Sequence, residues 1–319
     1  MNTVDDTLAA KPRCVIFAVY FGQLPSYFDV FLRSVELNAE IDFLLVTDQT
    51  IAWKPNNLQV EQMDLDEFSE MSSKALGMPV VMPRPYKVCD FRPAFGHIFE
   101  SYIQGYSHWG HCDLDVIFGD ILGVIPQEAF SSYAKILIRG NFAIYQNTPA
   151  ANAWYRTVLP DVDYRRVFST PNPFHFDESA GILRILRHLD VSIWNEECIF
   201  NIEWEQFRMR AVGSAPGYHS YVWRNGRILE YSGASGSKIL VREGLLIHLM
   251  KRQMAAPQFD VRNAEQIAIG PDRFYPYQEP ALPTRPFNWD FMLAWSGARH
   301  HFRRLKRRFS KRGDLRPLA

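Results

Sequence analysis

The sequence lacks most features that announce a function early. It carries no excess of one charge, with 35 Lys and Arg against 35 Asp and Glu over 319 residues. Bulk positive charge is therefore not available to hold nucleic acid, and no nucleic-acid partner is expected. Cysteine is scarce: Cys14, Cys89, Cys112 and Cys198 form no CxxC pair and show no metal-ligand spacing. That excludes a disulfide scaffold and leaves reduced, mostly buried thiols as the simplest state. Long hydrophobic runs are missing too. The longest early one, Val15–Phe21, has seven residues, where a membrane-spanning helix needs ~20. Residues 1–11 hold two acids and no apolar stretch, so they do not read as a signal peptide. GxGxxG and GxxxxGK[ST] are absent, as are GxSxG and HExxH. Dinucleotide oxidoreductases, P-loop kinases and the common hydrolases thus find no support.

What is present is a globular composition, 47% hydrophobic and 14% aromatic, which builds a core without staples and excludes a disordered chain. The balanced charge is divided along the chain. Residues 299–319 hold nine basic residues and one acid, leaving 26 basic against 34 acidic in residues 1–298. An acidic body thus carries a basic tail.

Hydrophobic patterning predicts an α/β fold. Arg13–Phe21 and Ile41–Thr47 are continuous apolar runs of the kind buried on both faces of a parallel sheet. Ser26–Asn38 lies between them with Phe28, Phe31, Leu32 and Val35 on one helical face. Strand, helix and strand in about 35 residues make a βαβ unit. Asn57–Met63 reads as a third strand, Asp64–Leu76 and Tyr86–Tyr106 as helices, the latter interrupted at Pro93. Lys135–Tyr145 holds one or two strands and Glu178–Leu189 a helix. Asn225-Gly226 within Tyr221–Tyr231 is a hairpin signal. Residues 255–288 carry six prolines and little periodicity, and read as a wrap on the surface.

The sharpest local signal is WGHCDLDVIFGD at 109–120. In an extended chain alternate residues face one side, so Asp113 and Asp115 project together. Two converging carboxylates repel unless a cation lies between them, and a divalent cation so held can bind a diphosphate. Asp-x-Asp also occurs by chance in surface turns, but the apolar flanks here speak against a solvated one.

These residues resemble the DxD motif of GT-A glycosyltransferases, and RPYKVCDFRPAFG at 84–96 is similar to a PYKxCDFKPAxG block of bacterial GT-A-like proteins of surface-polysaccharide clusters. GLLIHLMKRQM at 244–254 is similar to a YIHxxKRxM block of the same group. The resemblance covers about 13–254. It implies a GT-A-like Rossmann-type mixed sheet in a single catalytic domain, 13–254, followed by a Pro-rich C-terminal extension, 255–319. It implies a metal, Mn²⁺ or Mg²⁺, on Asp113, Asp115 and His248. It implies a UDP- or GDP-type nucleotide-sugar donor held by Lys87, Asp90, Arg92, Asp113 and Lys251. The acceptor would be a glycan or glycolipid. Read singly, a lone histidine in an apolar run, as His248 is, is more often a core residue than a ligand, and Lys87 and Arg92 are as much surface charge.

Asp177 and Glu178 precede a predicted helix. They read either as N-cap and first-turn acid or as the base that deprotonates the acceptor in an inverting transfer; Asn195-Glu196-Glu197-Cys198 is a rival acidic stretch. Gly140 permits a close backbone approach. Asp48, at the end of the second strand, lies where open α/β sheets bind nucleotides. Two other classes stay open: a non-catalytic, membrane-associated module on the same fold, and a metal-dependent phosphohydrolase, for which one Asp-x-Asp and one His are sparse.

In residues 291–309, Phe291, Trp295, Phe302, Leu305 and Phe309 recur at mostly helical spacing among arginines and lysines. A basic amphipathic helix of this type lies on an anionic membrane; a solvated tail and an arginine-rich RNA-binding segment are the alternatives. The expected location is cytoplasmic, peripheral on the inner face of the cell membrane. Deleting residues 291–319 should release the protein from anionic liposomes in a flotation assay while metal and nucleotide binding persist. Loss of both together would mean that the tail belongs to the fold.

Overall fold

A computed structural model describes residues 12–204, 209–215, 217–233, 238–250 and 252–277. These residues fall into two compact units, the first from 12–116 and 120–197, the second from 117–119 and 198–277. The expected basic helix of 291–309 lies outside the described residues. No described helix is long and apolar enough to cross a membrane, and all four cysteines are free.

The first unit is mixed α/β around a seven-stranded sheet. Its strands are β1 (Cys14–Val19), β2 (Asp42–Thr47), β3 (Leu58–Gln62), β4 (His108–Cys112), β6 (Lys135–Ile136), β7 (Phe142–Gln146) and β8 (Ile193–Trp194); β5 (Val116–Phe118) belongs with the second unit. Their order is β3-β2-β1-β4-β7-β6-β8. β3, β2, β1 and β4 run parallel, and β7 pairs antiparallel with β4 and β6. β1 and β2 are buried along nearly their whole length, which is why they read as unbroken apolar runs. The chain leaves β1 to one side for β2 and returns on the other for β4, so the carboxyl ends of β1 and β4 border a crevice of the type in which open α/β sheets hold ligands.

Local chemistry sets the helices. α1 (Phe28–Glu36) buries Phe28, Val30, Phe31, Leu32 and Val35. α2 (Leu65–Leu76) starts on a capping box, with Asp64 accepting from the Glu67 amide and the Glu67 carboxylate accepting from the Asp64 amide, and stops at Gly77 in the left-handed conformation. The segment predicted as helix at Tyr86–Tyr106 differs: Pro85–Ala94 is a 3₁₀ helix, followed by one α-turn, Phe95–Ile98. Pro93 has no amide to give an α-helix, and three residues per turn suits the sequence. Val88, Phe91 and Ala94 enter the core, Lys87, Asp90 and Pro93 are buried beside them, and Tyr86, Cys89 and Arg92 keep some exposure. The helix predicted at Glu178–Leu189 covers only Ile182–His188, with Gly181 as N-cap, so Asp177 is not the cap.

The second unit is all-β. β10 (Tyr218–Arg224), β11 (Arg227–Gly233), β12 (Leu240–Gly244), β14 (Gln266–Ile269) and β15 (Phe274–Pro276) form a sheet in the order β12-β11-β10-β14-β15. Asn225 and Gly226 turn β10 into β11 with positive φ at both positions, the geometry of a type I′ hairpin. β14 and β15 occupy part of the segment expected to be irregular. A three-stranded sheet joins β5 (Val116–Phe118), β13 (Leu246–His248) and β9 (Ile199–Asn201) in the order β5-β13-β9.

A buried charge network braces the hairpin. The Glu230 carboxylate accepts from Tyr221 (2.7 Å) and Arg242 (3.1 Å) and meets His219 Nδ1 at 3.0 Å, while His219 Nε2 meets the Ala215 carbonyl at 3.0 Å. Both partners of the ring are acceptors, so both nitrogens must donate and His219 is an imidazolium. Its hydrogen bond to Glu230 raises its pKa. Burial pushes the Glu230 carboxyl up, but bonds from His219 and Tyr221 bring it below the usual value. The histidine's contribution is complete below its unfolded pKa of about 6.5 and is lost as pH rises through the raised folded value; the glutamate's is lost on acidification. The urea midpoint should fall between about pH 6 and about pH 8, and His219→Phe should flatten that slope.

Candidate active site

β4 ends at Cys112, and Asp113, Leu114 and Asp115 follow before β5. Leu114 is buried and the two acids flanking it are half-buried, the alternation of an extended segment. The backbone amide of Asp113 still donates to the Asn141 carbonyl at 2.9 Å, prolonging the β4–β7 ladder by one residue. The two carboxylates have oxygens within 4.8 Å of one another and lie at the carboxyl end of β4. The loop after β1 faces them, for burial first and Asp115 second raise the pKa of both Tyr20 and Tyr27.

Arg92 draws this end of the sheet together. Nη1 donates to the Gly140 carbonyl and to Asp177 Oδ2, each at 2.7 Å, and Nη2 pairs with Asp113 Oδ1. Burial disfavours the guanidinium charge, but Asp113 and Asp177 outweigh it and raise its pKa. Asp177 is 4% exposed. Burial lifts its carboxyl to about 6, against the pull of Arg92 and with help from Asp113 and Glu178. It is thus a carboxylate that changes charge near neutrality, held by one cation on one oxygen. Gly140 makes this possible: a Cβ there would meet Glu178 Oε1 at 2.9 Å and Asp177 Oδ2 at 3.0 Å. The close approach that the glycine permits is that of the 177–178 loop.

Lys87 and Asp90, expected at the donor, have another task. Both side chains are 0% exposed. Lys87 Nζ donates to Asp90 Oδ2 (2.8 Å) and to the carbonyls of Val167 (2.7 Å) and Asn172 (2.8 Å); Asp90 accepts from the amides of Phe174 and Phe176. Every donor of the ammonium is used. The pair ties the 3₁₀ segment to the 172–176 loop that carries Asp177. Asp48 likewise accepts from the Gly22 amide (2.9 and 3.1 Å) and from Gln49 (3.0 Å). It closes the turn after β1.

Asp113, Asp115, Arg92 and Asp177 are thus gathered in the first unit, with Glu178 beside them. His248 belongs to the second unit, at the end of β13. Its Nδ1 lies 2.8 Å from Asn201 Oδ1, so Nδ1 carries the proton and the lone pair is on Nε2, the tautomer that suits a metal ligand. Lys251 lies outside the described residues. Lys135, His111 and Tyr145, behind Asp177 on β6, β4 and β7, are polar groups that the sequence reading missed. The signal was there: a lysine heading KILI and a histidine within WGHC, each a polar residue in a buried strand.

The chain belongs to DUF6625, a family of unknown function, which it matches over residues 16–278. None of the curated proteins matches it. Among solved structures, it is similar to the galactosyltransferase LgtC in complex with donor and acceptor sugar analogs, at 13% identity and TM-score 0.33, over 64% of this chain and 84% of that one. An active-site mutant of LgtC gives 13% and 0.34, over 64% and 79%. Likeness at that level does not speak to the reaction.

Lys87→Met would leave Asp90 buried without its counter-charge, at a cost of about 3–5 kcal/mol. The urea midpoint should fall accordingly, and Lys87→Met combined with Asp90→Asn should lose less than Lys87→Met alone.

Proposed function

We propose that the protein is a GT-A-type glycosyltransferase that moves a sugar from a UDP- or GDP-type nucleotide donor to a glycan or lipid-linked acceptor of surface-polysaccharide synthesis. One observation carries the reading: an Asp-x-Asp stands at the topological switch point of the sheet, facing an almost buried carboxylic acid across a shared arginine. In this reading Asp113, Asp115 and His248 hold Mn²⁺ or Mg²⁺. The donor set fits. Asp113 and Asp115 share a side of the chain, and His248 is in the ligating tautomer. When bound, the ion supplies positive charge to a departing diphosphate.

The chain's own residues do the rest. Arg92 keeps Asp113 compensated and oriented, and its charge adds to that facing the diphosphate. Asp177, with its pKa near neutrality, takes the proton of the acceptor hydroxyl as the new glycosidic bond forms; Glu178 is the second acid in reach of that role. Lys251, by its place in the sequence, would add charge beside the leaving nucleotide. The basic tail would bring the enzyme to an anionic membrane bearing a lipid-linked acceptor, on the cytoplasmic face.

A panel of UDP- and GDP-sugars assayed for hydrolysis and transfer should show turnover that chelator abolishes and Mn²⁺ or Mg²⁺ restores. Asp115→Ala should lower it by roughly 100-fold or more, the upper range for loss of support to a bound metal. Unchanged turnover in Asp115→Ala removes the metal assignment, and no calorimetric binding of UDP or GDP with Mn²⁺ would favour a non-catalytic module.

A further inference from the structure

Behind Asp177 the sheet carries polar groups that the proposed chemistry does not use. Trp109, Tyr145 and Lys135 are cross-strand neighbours on β4, β7 and β6. Tyr145 stacks on Trp109 with ring centroids 4.4 Å apart, and the Lys135 nitrogen lies 3.9 Å from the Tyr145 centroid. His111, two residues on from Trp109, brings its ring to 6.1 Å from that of Tyr145. Lys135 is only 2% exposed and His111 fully buried. Both ring nitrogens of His111, the Tyr145 hydroxyl and Asp177 Oδ1 have no hydrogen-bond partner among the described residues. Lys135 forms no ion pair there.

Four unsatisfied buried atoms in one neighbourhood are costly unless something else partners them. The set mixes acceptor (Asp177 Oδ1) with groups able to donate (Lys135, Tyr145, His111). Water serves both and a simple ion does not. A metal ion is further disfavoured by the cation of Arg92, whose charge reaches both Asp177 and His111.

We propose that Lys135 is a positioning residue for Asp177: enclosed water joins Asp177 Oδ1 to Lys135, Tyr145 and His111, and the amine of Lys135 receives the proton that Asp177 takes from the acceptor. The second half rests on the reading of Asp177 as the base of an inverting transfer. In that step the acceptor O–H bond breaks and its electron pair forms the bond to the anomeric carbon. The bond from that carbon to the diphosphate oxygen breaks, and its pair leaves with the diphosphate. The proton passes from Asp177 through water to the neutral amine of Lys135, making an ammonium, and returns to solvent by the same route before the next turnover.

The groups around the pair permit this. Asp177 is faced by Arg92 and Cys89 from the 3₁₀ segment, by Asp113 after β4, by Glu178 alongside, and by Lys135 and Tyr145 from the sheet. Lys135 is faced by Asp177, His111 and the Tyr145 ring. Burial lowers the lysine pKa while Asp177 opposes the fall, so the carboxylate favours a proton on the amine.

The test follows the Asp177 carboxyl by NMR in protein labelled with ¹³C-aspartate, its resonance identified by loss in Asp177→Asn. In Lys135→Met, where chain length and apolar stem are kept, the titration midpoint should rise by about one pH unit, a tenfold change in proton affinity. Tyr145→Phe should move it less, in the same direction. The acid limb of the kcat profile should follow the carboxyl, with KM for the donor unchanged. An unshifted carboxyl in folded Lys135→Met overturns the cluster. A shifted carboxyl with an unmoved pH profile keeps the positioning and overturns the relay, and with it the base reading. Should Lys135→Met not fold, the wild-type Lys135 ¹³Cε shift decides: a neutral amine near neutral pH supports the proposal, and a charged one overturns it.

Discussion

The guanidinium of Arg92 is the junction on which the first unit's chemistry depends. One planar cation reaches a carbonyl and two carboxylates from three stretches of chain: Gly140 ahead of β7, Asp113 after β4, and Asp177 in the loop before the last helix of that unit. Few side chains can do this, because the donors must diverge within one plane and the charge must survive burial. Without it, two acids would sit close together at low dielectric and one would be forced to take a proton. With it, the acids are held apart in role. Asp113 stays oriented at the crevice, and Asp177 keeps a proton affinity near neutrality.

That junction is in turn placed by a pair that never meets solvent. Residues three apart align along a 3₁₀ helix, so Lys87 and Asp90 stand together, as do Cys89 and Arg92 on the neighbouring face. The first pair is spent on backbone: the ammonium on the carbonyls of 167 and 172, the carboxylate on the amides of 174 and 176. The loop bearing Asp177 is therefore fixed by main-chain hydrogen bonds to a charged pair one helical row away from the arginine it binds. The residues that look most like ligand contacts are the scaffolding, and the arginine beside them joins the acids of the crevice.

The parts of this arrangement differ in how plainly the sequence announces them. β1, β2, α1 and α2 are visible because burial on two faces, a helical stripe and a capping box each leave an unambiguous pattern. The Asp-x-Asp is visible because apolar flanks isolate it. The 3₁₀ segment is not, since its three-residue period is close enough to 3.6 to pass for an interrupted helix until Pro93 and the buried pair are seen in space. Lys87 and Asp90 are misread for the same reason: a charged residue declares its charge in sequence but not its burial. The pairing of Asp177 with Arg92, 85 residues apart, and the polar cluster around Lys135 depend on strand order, which no local pattern encodes. The second unit's β14 and β15 are hidden by short length and flanking prolines.

Gly140 carries a consequence for comparative work. A hydrogen atom in place of a side chain is what lets the Asp177 and Glu178 side chains lie against the segment before β7. Any relative with a larger residue there must have moved the Asp177 or Glu178 side chain, and Arg92 would then hold its acids differently. The single letter at this position is thus a marker that sorts sequences by whether the acid faces the crevice in the same way, legible in an alignment before any coordinates exist.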